Sequence, residues 1–149
     1  MPKLLALIAC ERVILDKQDM PSLINVFRQM NMQLLDAPLP EKAISPVRWF
    51  VFTLWQNEET DIEKKSTQLL EVVLPNGEIF SSAEQEFRMA NADDIQSKIT
   101  LEFNGVPVWQ EGVIQVRASL KGSEEPAHIY KIQIKHLPKK ESNVKTSDA

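Results

Sequence analysis

The chain has 149 residues, 43% of them hydrophobic and 26% charged, with a net charge of −4 and a single cysteine. That length suits one domain with a core of its own, and the acidic balance argues against a dedicated nucleic-acid binder, which carries a basic excess or stripe. With only Cys10 present no internal disulfide can form, and no apolar run approaches the ~20 residues of a membrane-spanning helix.

Leu4 to Leu15 is apolar on every side as far as Cys10 and closes with Val13-Ile14-Leu15. Its residue types suit a helix, but a short surface helix would show a polar face, so the run reads better as a covered strand. Leu7-Ile8-Ala9-Cys10 has the small-residue-then-Cys form of a bacterial lipoprotein signal. Only Lys3 precedes a very short apolar run, however, where a signal needs about 7–15 apolar residues after a charged segment. Cys10 is therefore expected to be a buried strand thiol and the protein to be soluble and cytoplasmic.

Asp16 to Pro21 is a polar turn, and Ser22 to Leu34 alternates as a second strand, the two strands forming a first hairpin; a helix pair is the competing reading. Asp36 to Pro46, with Pro38, Pro40 and Pro46, is expected to be irregular. Val47 to Trp55 is the clearest strand, with Trp49 and Trp55 on one face and Phe50, Phe52 and Leu54 on the other, so it should be central. The Trp49/Trp55 face is expected in the core, the alternative being an exposed carbohydrate-stacking platform.

Gln56 to Lys65 is a charged loop, Ser66 to Leu74 a strand, and Pro75-Asn76-Gly77 a turn into Glu78-Ile79-Phe80. Glu84 to Met89 either continues that strand past Ser81-Ser82 or stands alone. Ile95–Phe103, Gly112–Lys121 and His128–His136 alternate apolar and polar, the mark of antiparallel strands wet on one face, with Asn104-Gly105 read as a turn. About eight strands and little helix signal predict an all-β, two-sheet antiparallel β-sandwich over 1–137, immunoglobulin-like or C2-like, followed by a disordered polar tail over 138–149.

The strand ending in Cys10-Glu11, the short polar turn, Ser22-Leu23-Ile24-Asn25-Val26-Phe27 and the later Gly112-Val113-Ile114-Gln115-Val116-Arg117 before Lys121-Gly122 are similar to a family of short uncharacterised bacterial proteins. Val113 stands where that family has an aromatic residue. The resemblance covers most of 4–136 and implies a single bacterial β-sandwich; it implies no activity and carries over no catalytic residue.

Chemistry is sparse. His128 and His136 fall on one strand, about 26 Å apart at ~3.3 Å per residue, and cannot share a metal. Cys10 in an apolar run is expected to be inert, no serine has a nucleophile-elbow context, and four glycines are too few for a phosphate cradle. No cofactor or enzyme activity is expected.

Alternate loops of an antiparallel sandwich share an end. One end collects Asp16, Asp19, Glu58, Glu59, Asp61, Glu63, Asp93, Asp94, Glu124 and Glu125, ten of the 21 acids. It could be a Ca²⁺ site built from Asp16, Asp19, Glu59, Asp61, Asp93 and Asp94, or simply a solvated face. The other end is apolar, with Leu39, Val108 and Trp109 as candidate binding residues; the alternative has Trp109 folding back to cap the sandwich. The function expected is a non-enzymatic binding or assembly module, engaging a protein partner or a second copy through the Trp109 end. A calcium-binding C2-like module and an enzyme of unknown class are the alternatives.

Overall fold

The computed structural model describes residues 1–33, 40 and 42–138. Among these residues the fold is all-β, with nine strands: β1 (Lys3–Leu15), β2 (Pro21–Val26), β3 (Gln29–Gln33), β4 (Ile44–Gln56), β5 (Lys65–Val73), β6 (Ile79–Arg88), β7 (Gln96–Pro107), β8 (Gly112–Leu120) and β9 (His128–Leu137). A one-turn 3-10 helix, Glu59–Asp61, interrupts the β4–β5 loop. The first sheet has the order β2-β1-β4-β7 and the second β3-β9-β8-β5-β6. Among the described residues no helix is long and apolar enough to cross a membrane.

The sandwich closes around the inward faces that alternation marks. Ala9, Trp49, Val51 and Val106 from the first sheet meet Leu70, Val72, Ile114, Val116, Ala118, Ile132 and Ile134 from the second. Each valine, leucine or isoleucine among them contributes about 1.5–3 kcal/mol when removed from water. Trp49 and Trp55 are 1% and 2% exposed, so the tryptophan face is core. Trp49 stacks on Phe103 at 4.8 Å and donates its indole N–H to Gly105 O at 2.9 Å. In immunoglobulin terms β4, β5, β6, β7, β8 and β9 take the positions of strands B, C, C′, E, F and G: β4 lies beside β7, and β9-β8-β5-β6 run in the order G-F-C-C′. The strand β1 is an addition, inserted beside β4.

Four expectations need correction. The run from Ser22 to Leu34 is not one strand. Asn25 adopts φ 55, Phe27 and Arg28 leave the ladder, and the chain passes to the other sheet, where β3 pairs β9 in parallel. The sandwich is therefore not wholly antiparallel, and the strand count rises to nine. The crossover is fixed at both sides: Phe27 N–H donates to Ala9 O, Arg28 O accepts from Gln133 N–H, and Phe27 O accepts the Tyr130 hydroxyl at 2.8 Å.

Pro46 lies inside β4 rather than in a loop. The β4–β7 register shifts between Ser45 and Arg48, which excuses the missing proline N–H. Asn104-Gly105 is not a turn either; β7 runs through it. Gly105 has φ +100, and a Cβ there would lie 2.4 Å from Ile44 Cγ2, so the glycine serves a close strand approach. Ser81-Ser82 does not break β6, which runs on to Arg88. Leu39 and the tail from residue 139 onward lie outside the described residues.

Candidate binding surfaces

At the apolar end, Val108 is 1% exposed and packs in the core, so it is a structural residue and cannot touch a partner directly. Its N–H donates to Ala43 O, and its carbonyl lies 2.6 Å from His136 Nε2. Trp109 is half-buried against Phe80, ring centroids 6.1 Å apart and planes tilted by 58°. The rest of the loop is tied down as well. Gln110 Oε1 accepts Asn76 N–H, and Glu111 Oε2 accepts His136 N–H. Trp109 thus folds back against Phe80 at the edge of the sandwich. Leu39, the third candidate at this end, is one of the residues outside the description.

Of the six candidate acids, Asp16, Asp61 and Asp94 are engaged by backbone N–H groups of their own loops. Asp16 Oδ1 accepts the N–H groups of Gln18 and Met20, at 2.7 and 2.9 Å, and closes the β1–β2 turn. Asp61 is buried; its Oδ2 accepts Glu58 N–H at 2.7 Å and its Oδ1 lies 3.0 Å from the Met1 ammonium, with Glu58 Oε2 at 3.2 Å. Those two carboxylates raise the ammonium's pKa through hydrogen bonds, Asp61 most. Asp94 Oδ2 accepts Ala90 N–H, while Asp93 donates its own N–H to Asn91 Oδ1 and, like Glu59, leaves its side chain in solvent. Asp16 and Asp19 sit at the tip of the β1–β2 hairpin. Among the described residues no three His, Cys, Asp or Glu side chains converge as a cation would require.

The histidines begin and nearly end β9, one near each end of the sandwich. Cys10 is fully buried, and burial pushes its thiol pKa up, a shift the backbone N–H of Arg12 only partly opposes. A protonated, enclosed thiol is a poor nucleophile.

The feature that sequence reasoning missed is an arm. From Lys3 to Cys10, β1 pairs with β4; from Cys10 to Leu15 it pairs with β2 alone. Past Cys10 the β1–β2 hairpin therefore leaves the sheet. Its tip returns to the far strand, where Lys98 on β7 donates its ammonium to Asp19 O. Since β4 lies between β1 and β7, the arm crosses the outer face of β4. A cleft lined by Glu11, Arg12, Val13, Arg48 and Phe50 marks where it departs.

Phe52, on the outer side of the sheet, is only 4% exposed. Val13 and Leu23, opposite each other, are half-buried on one face of the arm. Ile14 and Ile24 on the other face are 44% and 38% exposed, and Leu15, Met20 and Val26 are 55%, 59% and 50% exposed.

No protein-family model matches the sequence, and no curated protein matches it. Among solved structures the chain is similar to a β-glucosidase from Listeria innocua, determined alone, with glucose and with gluconolactone. In each case the identity is 10% and the TM-score 0.45, covering 93% of this chain. The chain spans only 16% of that enzyme's length, and at this similarity nothing of the enzyme's chemistry transfers to it.

Proposed function

We propose that this is a non-enzymatic binding or assembly module of the bacterial cytoplasm that docks onto a protein partner through the β1–β2 arm. One observation carries the reading: five of the twelve exposed large hydrophobic residues among those described fall between Ile14 and Val26. Scattered exposed leucines and isoleucines are ordinary, whereas several on one projecting element mark an interaction surface. Glu11, Arg12, Lys17 and Asp19 border the patch with both signs of charge, which suits a protein surface with an apolar centre and a mixed rim. The buried, unpaired Cys10 agrees with a reducing compartment, and the bacterial setting rests on the family resemblance.

The test compares the wild type with Ile14→Asp, Ile24→Asp and Trp109→Ala in pull-downs, with light scattering on the purified chain to detect self-association. Loss of the partner, or of the dimer, in both arm variants and its retention in Trp109→Ala supports the reading. Equal recovery in all four, or a monomer that captures nothing, overturns it.

A further inference from the structure

At the end of the sandwich opposite Trp109 the two sheets part around a cavity of about 240 Å³. Its walls come from both sheets: Lys3 and Leu4 from β1, Trp55 from β4, Leu120 from β8 and His128 from β9, with Glu125 from the preceding loop. Leu4, Trp55 and Leu120 are its apolar walls, with Ser119 and Ser123 half-buried beside them; Lys3, Glu125 and His128 are solvent-exposed at the rim.

The Trp55 indole spends its N–H on Gln68 Oε1 at 2.7 Å, and its ring stacks against Phe87 at 5.6 Å. Trp55 is 2% exposed, so only a small area of its aromatic carbon is left to line the cavity. The indole is a donor only, so its bond fixes which end of the Gln68 amide faces it; Thr53 donates to the same oxygen at 2.6 Å. Gln68 Nε2, fully buried next to this floor, is left without an acceptor.

A small apolar chamber with a few polar groups at its mouth is the usual build of a ligand site, but this volume falls below the ~300–1,000 Å³ of pockets for drug-sized molecules. An occupant of about one ring and a short polar head is the largest that fits. The rim carries an ammonium (Lys3), a carboxylate (Glu125) and an imidazole (His128), so it matches a head bearing both signs of charge.

We propose that this cavity binds a free amino acid with a single-ring aromatic side chain. The ring lies against Trp55, Leu4 and Leu120; the carboxylate is held by Lys3 and His128; the ammonium faces Glu125. The proposal uses no residue of the arm and stands independently of partner docking.

Phenylalanine titrated into the ¹⁵N-labelled full-length protein at millimolar concentrations should move the Trp55 indole N–H and the Leu4, Leu120 and His128 amides saturably. Phenethylamine and phenylpropanoate, each lacking one charge, should bind about tenfold more weakly. Lys3→Gln should abolish the preference over phenethylamine, and Glu125→Gln the preference over phenylpropanoate. Both positions are exposed, so both variants should fold. An absence of saturable change with phenylalanine overturns the proposal. So do changes confined to other residues, equal binding of the three compounds, or preferences unaltered in both variants.

Discussion

The arm and the Trp109 loop are both apolar segments outside the strand ladder of the core, yet they meet solvent differently. The loop is anchored from several directions: Val108 is bonded to Ala43 and His136, Gln110 to Asn76, Glu111 to His136, and Trp109 rests on Phe80. The arm has one ladder of its own, and its tip has the Lys98 contact to the sheet beneath. Apolar content therefore says little about whether a segment caps a core or presents a surface. The anchoring of its backbone decides, because a loop whose polar groups are bonded to the body of the fold brings its side chains with it.

Substitutions should separate the two regions sharply. Val108→Asp places a carboxylate at a site that is 1% exposed, with no partner charge, and should cost about 4 kcal/mol or more, enough to unfold a marginal domain. Urea unfolding followed by tryptophan fluorescence measures this. A loss below about 1 kcal/mol would show that the loop is as free as the arm and would dissolve the contrast.

Cys10 tests the root of the arm, being the last β1 residue paired with β4 and the first paired with β2. Its thiol pKa is raised in the folded protein by burial. Below the ordinary thiol pKa both states hold the proton and stability is unaffected. Above it the unfolded chain releases the proton while the folded chain keeps it, so stability falls as pH rises, by at most about 1.4 kcal/mol per pH unit until the folded pKa is reached. Wild type should lose stability relative to Cys10→Ala between about pH 9 and 10, and its labelling by a thiol reagent at pH 8 should follow arm opening. Fast stoichiometric labelling of the native protein would mean that the arm does not stay seated.

Tyr130→Phe removes the hydroxyl that holds the β2–β3 crossover through Phe27 O and should cost about 1 kcal/mol. Its effect should appear in thermal unfolding, and unchanged stability would show that the other two crossover bonds suffice.

Much of the core was legible because it is written in period two. Ile114-Val116-Ala118 and Ile132-Ile134 are nearly or fully buried in the core, as their alternation says. Trp49 and Trp55 went the same way for the same reason. The errors fall where backbone geometry overrides pattern. Nothing in the alternation of Ser22 to Leu34 announces that Asn25 takes a left-handed conformation and that the chain then changes sheets. Gly105 is a turn residue by type, but it serves a strand crowded by Ile44. The acids were placed correctly at loop level for Glu59, Asp61, Asp93 and Asp94. Asp16 and Asp19 sit in the turn of the arm, whose tip is bonded to Lys98 on β7. The cavity beside Trp55 had no local signal, since its lining comes from three stretches far apart in the chain, around residues 2–4, 55 and 119–128.

The smallest expected change in stability is the most informative about the arm. Ile14 and Ile24 lie on the face turned from the sheet, so Ile14→Asp and Ile24→Asp remove little packing and should alter stability by no more than about 0.5 kcal/mol. Binding should respond oppositely, because a carboxylate at the centre of an apolar interface must be desolvated without a partner. A pair of variants that unfold like the wild type but lose their partner would assign the exposed face to recognition. If they instead lose stability on the scale of Val108→Asp, the face is packed in solution, and the arm belongs with the Trp109 loop as a cap.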